Sequence, residues 1–132
     1  MINVSKFEEE FPKDFSDRER ISFELGIKLG ALFHLAMGMP ISKNEVTIRD
    51  IERGLESSIK CQPYVMDVKV TIDGEKVLGN KADEFDYSSI NPVCLGAEIS
   101  LRYKRWLVKG VLEWDDENNY PIMYVKELSS AE

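Results

Sequence analysis

The sequence predicts an α+β fold, with two N-terminal helices packed on one face of an approximately four-stranded antiparallel sheet. Three observations predict it. Apolar residues recur at helical spacing up to residue 61, the period changes to two after Pro63, and turn-forming clusters cut the second half into short runs. At 132 residues, 43% hydrophobic and 31% charged, the chain reads as one domain spanning 1–132, large enough for a core without staples.

Residues 1–15 form an irregular acidic leader, in which Phe7, Phe11 and Phe15 stand four apart and Pro12 interrupts a helical turn. Ser16 and Glu19 fit a capping box, each side chain satisfying an orphan backbone donor of the other. A helix should run from there to about Met37, stopped by Gly38 and Pro40. Projected at about 100° per residue, it carries two apolar faces. Ile21, Leu25, Leu29, Leu32 and Ala36 make a core stripe. Phe23, Gly26, Ile27, Gly30, Phe33 and Met37 lie roughly opposite. A helix apolar on both sides is buried on both sides, and in a domain this small the second face is expected to meet another subunit. Gly26 and Gly30 allow close approach of a backbone or a flat ligand, or serve simple tight packing.

Thr47 with Asp50 signals a second helix ending near Lys60 or Cys61. Its stripe is Ile48, Ile51, Leu55 and Ile59, with Asp50, Arg53 and Ser57 opposite. Gln62 precedes Pro63, which pushes it into an extended turn. "VMDVKVTID" (65–73) is then β-rich, and Asp73-Gly74 predicts a hairpin into "EKVLG". Residues 80–92 read as a polar loop. Strands are expected over 97–103, 106–114 and 120–125, the last with Pro121 near its start, where a missing donor is tolerated.

The charges exclude several function classes. Seventeen basic against twenty-four acidic residues leave a net charge of −7, which argues against nucleic acid or an anionic membrane as partner. The one basic run, Arg102 to Arg105, is broken by Tyr103 and reads as the solvent face of a sheet. No apolar stretch reaches the roughly 18 residues of a membrane span, and "MINVSKFEEEF" does not read as a signal peptide. Cys61 and Cys94 stand alone and read as reduced core thiols of a cytoplasmic protein. No phosphate loop, GxSxG or zinc ligand set is visible, so neither a metal nor a cofactor is expected.

The residues left with chemistry are Glu24, His34, Gln62, Tyr103, Tyr120 and Tyr124. Taken singly, each also has a plain structural reading. Glu24 can pair with Arg20 or with Lys28 one turn on. His34, the only histidine, can be a satisfied core or interface residue. Gln62 can cap the second helix, and the tyrosines can be sheet aromatics.

"FELGIKLGALFHLAMGMPIS", "LESSIKCQPYV" and "NYPIMYV" resemble, in this order, the archaeal dihydroneopterin aldolase family of the methanopterin pathway. The likeness runs from about Arg18 to Lys126. It implies a lyase that cleaves 7,8-dihydroneopterin by a retro-aldol reaction, without metal or lysine Schiff base. The products are 6-hydroxymethyl-7,8-dihydropterin and glycolaldehyde. By the same resemblance Glu24 anchors the pterin, Gln62 binds the ring edge or side chain, and His34 with Tyr120 or Tyr124 moves protons. It also implies a homo-oligomer, with a tetramer favoured. A non-catalytic pterin or small-molecule binder is the alternative.

One geometric expectation is independent of the family. Glu24 and His34 stand ten residues apart, about 15 Å along a helix and about 80° around it. If both serve one pterin, they come from different subunits.

Overall fold

The computed structural model describes residues 10–77 and 87–131. Helix α1 is Asp17–Ala36 and helix α2 is Glu45–Lys60. The main sheet contains β2 (Val65–Ile72), β4 (Leu95–Tyr103), β5 (Trp106–Asp115) and β6 (Tyr120–Ser130), in the order β2-β4-β5-β6, antiparallel throughout. Two short strands, β1 (Pro40–Ile41) and β3 (Ser88–Ser89), pair antiparallel in a second sheet. The architecture is the expected α+β arrangement.

The capping box starts α1 as read. Glu19 N donates to Ser16 Oγ at 3.1 Å, and Ser16 N donates to Glu19 Oε1 at 2.8 Å. Both hydrogen bonds hold the Glu19 carboxyl below its ordinary pKa, the Ser16 backbone bond most strongly. Gly38, at φ 83, turns the chain away after Met37. α2 begins earlier than expected, because Asn44 Oδ1 accepts from Val46 N and Thr47 N at 2.9 and 3.2 Å. Thr47 therefore lies inside the first turn and is not its cap.

The expected hairpin at Asp73-Gly74 does not form. Asp73 Oδ1 accepts from Glu75 N at 3.0 Å and starts a 3₁₀ turn over Gly74–Lys76. The side chain thus supplies a cap where a type I′ turn would need only backbone. β2 pairs instead with β4, Ile72 opposite Leu95. Of the "EKVLG" segment, Val77 is buried and the last two residues lie outside the described chain. The polar segment 80–92 contains β3 and the buried Ile90, while 80–86 lie outside the described residues. Phe7 of the leader also lies outside them, whereas Phe11 stacks on Phe15 at 5.3 Å between ring centroids.

The core sits between the helices and one face of the sheet. Ile21, Leu25, Leu29, Leu32 and Ala36 are all buried, as are Ile48, Leu55 and Ile59 of α2 and Val68, Val70, Ile99, Leu101, Val108 and Leu112 of the sheet. α1 lies close over β5 because Gly110 has no side chain. A β-carbon there would stand 2.6 Å from Leu25 Cδ2. The second apolar face of α1 is uncovered in its first half, with Phe23 55% and Ile27 45% exposed, while Phe33 and Met37 pack partly against the core. Around Gly26 and Gly30 there is open space. The free edge of β2 is closed by α2: Val70 N and Ile72 N donate to Glu56 Oε2 and Glu52 Oε2, both at 2.8 Å. Such carboxylates remove the donors that would template another strand.

Two readings of single residues change. Cys94 is buried, but Cys61, just past α2, is exposed and is no core thiol. The run Arg102 to Arg105 is not one solvent face. Tyr103 points into the core, and Lys104 (φ 54) and Arg105 form the tight turn between β4 and β5.

Candidate active site

The helix period decides where Glu24 lies. It precedes Leu25 of the core stripe, so its carboxylate sits at the edge of the buried face, 16% exposed. Lys28, one turn on, is 3% exposed and places Nζ 2.5 Å from Glu24 Oε2. With Glu on the N-terminal side, an i,i+4 pair has its favourable orientation. The Lys28 ammonium also lies 5.6 Å from the centroid of the Tyr64 ring. Tyr64 meets Tyr103 edge-on at 5.5 Å, and Arg20 Nη1 donates to the Tyr103 hydroxyl at 3.0 Å. Phe11, Arg20, Ile21, Glu24, Tyr64 and Tyr103 line a cleft of about 10 Å³. That volume holds roughly one water. The cleft within one chain is thus too small to enclose a flat heterocycle.

Gln62 is half-buried in the bend after α2, where its backbone N–H donates to Ile59 O at 3.0 Å. It stands two residues before Tyr64, which has a positive φ of 72 and whose carbonyl accepts from Arg102 N at 2.9 Å. The turn that presents Gln62 is thus tied to the same aromatic pair that borders Glu24. His34 lies on the last turns of the same helix, exposed, with its ring edge-on to Phe33 at 5.9 Å. A rise of about 15 Å separates it from Glu24 along α1.

The two tyrosines lie elsewhere. β6 pairs with β5 so that Tyr124 stands opposite Val111 and Tyr120 opposite Asp115, on the face away from the helices. Tyr124 donates to Glu113 Oε1 at 3.0 Å, and that hydrogen bond, more than burial, raises its phenol above the ordinary value. Beside it Lys126 donates to Glu98 Oε1 at 3.1 Å. Tyr120 is 63% exposed next to the turn from β5. Within one chain, then, Glu24, Lys28, Tyr64 and Tyr103 converge. His34, Tyr120 and Tyr124 do not join them.

Tyr64 is a member of this cluster that the sequence reading did not single out. The i,i+4 ion pair of Lys28 with Glu24 forms as read. The burial of Lys28 follows from its place three after Leu25 and four before Leu32, on the core stripe itself. Among the described residues no three His, Cys, Asp or Glu side chains gather as metal ligands do.

The model of a family described as dihydroneopterin aldolase matches residues 16–126. The chain belongs to the dihydroneopterin aldolase family. A dihydroneopterin aldolase of Picrophilus torridus is 37% identical over 113 residues, covering 86% of this chain and 90% of the relative. One from Methanopyrus kandleri is 36% identical over 121 residues, covering 91% and 96%. A crystal structure of a Picrophilus torridus protein superposes with a TM-score of 0.75 at 38% identity, covering 91% of this chain and 93% of that one. The part matched by the family begins at the N-cap of α1 and ends within β6. It includes both helices and therefore Glu24, Lys28, His34 and Gln62, as well as Tyr120 and Tyr124.

Proposed function

We propose that this protein cleaves 7,8-dihydroneopterin by a retro-aldol reaction, giving 6-hydroxymethyl-7,8-dihydropterin and glycolaldehyde. The observation that carries the reading is a half-buried carboxylate, Glu24, held by a buried ammonium at the mouth of an aromatic-lined cleft, in a chain of the dihydroneopterin aldolase family. A pterin presents two adjacent donors, its 2-amino group and N3–H. One carboxylate accepts both, and each charge-assisted bond is stronger than a neutral one.

The chemistry asks for proton transfers only. A base removes the proton of the 2′-hydroxyl, the 1′–2′ carbon bond breaks, and its electron pair enters the C6=N5 imine of the pterin. Glycolaldehyde leaves with carbons 2′ and 3′. The resulting enamine takes a proton at carbon 1′ and becomes the hydroxymethyl product. The substrate is its own electron sink, so general acid–base groups suffice. His34 and one tyrosine, Tyr120 or Tyr124, move these protons, and Gln62 binds the ring edge or the side chain. Tyr120, beside a turn, is the preferred one.

These groups meet only if the site is completed by another copy of the chain. Glu24 and His34 share one helix at about 15 Å. Tyr120 and Tyr124 lie across the sheet, and the cleft at Glu24 is far below the roughly 300 Å³ of a ligand pocket. Exposed large side chains on α1 (Phe23, Ile27, Leu35) and on β6 (Tyr120, Met123, Tyr124, Val125) supply the apolar surface such a contact buries. The test is incubation of the purified protein with 7,8-dihydroneopterin in EDTA, with separation of the pterins and assay of glycolaldehyde. Product formation supports the enzyme, and binding without product supports a pterin carrier. Activity that needs an added divalent metal sinks the metal-free mechanism.

A further inference from the structure

Lys28 is the buried charged residue that the reaction scheme leaves unused. Its burial is costly. Lysine is almost never fully buried unless paired, and taking an ammonium out of water costs several kcal/mol even after relaxation. The position lies on the core stripe of α1, between Leu25 and Leu32, where a methionine or leucine would pack without that cost. What the ammonium does there is read from its two contacts. It lies 2.5 Å from Glu24 Oε2 and 5.6 Å from the Tyr64 ring centroid. The ring attracts the cation, so both contacts hold Lys28 in place. The bond engages Oε2, which leaves Oε1 and the remaining lone pair of Oε2 for an incoming ligand.

We propose that Lys28 is a positioning residue for pterin recognition. It fixes the rotamer of Glu24 and keeps its carboxylate aimed at the paired donors of the pterin, without touching the substrate. The proposal rests on the reading of Glu24 as the pterin anchor. It assigns Lys28 no covalent role, because its ammonium is engaged by Glu24 and carries no free amine lone pair.

The test is a double-mutant cycle on the full-length protein, reading both Tm and the separate values of kcat and KM for 7,8-dihydroneopterin. Lys28→Met removes the charge and keeps the volume, but leaves the Glu24 carboxylate without its partner. Because Glu24 is the more exposed of the two, Tm is expected to fall, by less than in Glu24→Gln. KM is expected to rise roughly tenfold while kcat changes little, as for loss of ground-state and transition-state binding alike. Glu24→Gln strands the ammonium in the core and is expected to lower Tm. In the double variant, Lys28→Met should restore that Tm and add nothing to the KM of Glu24→Gln, because the two residues act as one unit. Lys28→Arg keeps a charge within reach of Oε2 and should recover most of the affinity. It also stands as the second variant if Lys28→Met fails to fold, since Lys28→Arg is then expected to sit closer to wild type in KM than any uncharged replacement.

Several results would overturn the proposal. One is a wild-type KM in Lys28→Met alongside a raised KM in Glu24→Gln, which rejects positioning and leaves the pterin reading intact. Multiplying effects in the double variant, or a loss confined to kcat, do the same. A wild type that neither binds nor cleaves the pterin removes the reading of the site and the role of Lys28 together.

Discussion

The two faces of the main sheet carry two polar clusters built on different terms. On the helix-covered face, Glu24 and Lys28 form an ion pair 16% and 3% exposed, walled by Tyr64 and Tyr103. On the open face, Tyr124 with Glu113 and Lys126 with Glu98 form pairs at 3.0 and 3.1 Å in a shallow depression of about 290 Å³. The geometry of the contacts is similar, but the surroundings are not. Removing one partner of a buried pair leaves an uncompensated charge, whereas a solvated pair exchanges its partner for water. The covered cluster is therefore preorganised, and the open one adapts to whatever lies against it. In the proposed site, which draws residues from both faces, the covered cluster would hold the ligand and another chain would bring the open face to it.

The largest expected effect tests whether the residues meet only between chains. On the proposed mechanism His34 moves protons, so His34→Ala should lower kcat by roughly 10²–10⁴-fold. Glu24→Gln and His34→Ala proteins, each poorly active, are then mixed under conditions of subunit exchange. Activity should return, because about one site in four draws an intact residue from each of two chains in a closed homo-oligomer. No recovery despite demonstrated exchange would place both residues within one chain, or remove one of them from the site.

Next in size is Glu24→Gln itself. Losing the charge and one acceptor toward the pterin should weaken binding by roughly ten- to a hundredfold, the range of a hydrogen bond to a charged group. Titration of a dihydropterin by fluorescence measures it. Unchanged binding would return Glu24 to service as the ion-pair partner of Lys28 alone.

How much of this was legible in the sequence follows from what is local. The capping box, the stripe of α1 and the alternation of β4 need only neighbours within a turn or a strand, and they were read correctly. Glu24, His34 and Gln62 were singled out through the motifs that resemble the family. The cluster around Glu24 was not legible, because Tyr64 and Tyr103 reach it only when α1 packs on β4 and β5. The ion pair of Lys28 with Glu24 was legible from the i,i+4 spacing, and its burial follows from the place of Lys28 on the stripe. The hairpin at Asp73-Gly74 did not form. Dipeptide statistics describe backbone preference, and here the Asp73 side chain captured the Glu75 donor and redirected the chain. That Tyr120 and Tyr124 face away from the helices depends on the pairing register of β6, which no motif encodes.

The covered face also depends on how closely α1 approaches the sheet. Gly110→Ala would put a β-carbon 2.6 Å from Leu25 Cδ2, and Leu25 adjoins Glu24. Leu25 is 1% exposed and has little room to turn away. Overpacking of this kind costs about 1–3 kcal/mol, so urea unfolding should show a loss in that range. Pterin affinity should fall with it as α1 lifts. A stable variant with intact affinity would show that the close approach at Gly110 does not set the position of Glu24.

The smallest effect belongs to the open face and is a matter of pH. The hydrogen bond from Tyr124 to Glu113 raises the phenol above its ordinary value near 10.0, with the neighbouring carboxylate charge acting in the same direction. A group whose folded pKa is raised contributes stability that is fully present below the unfolded value. That contribution is lost as pH rises through the folded value, so the window opens above about pH 10 and acid leaves the pair intact. Following tyrosinate absorbance, Tyr124→Phe should delete one late-titrating phenol, and Glu113→Gln should move that phenol to lower pH. The change should be modest because water screens both partners in the single chain. A dihydropterin analogue added to the assembled protein sharpens the contrast between the faces. If Tyr124 is the tyrosine that reaches the site, excluding water from it should delay its titration further, and Tyr124→Phe should abolish the delay. A titration indifferent to the analogue would remove Tyr124 from the site and leave Tyr120 as the tyrosine that moves the proton.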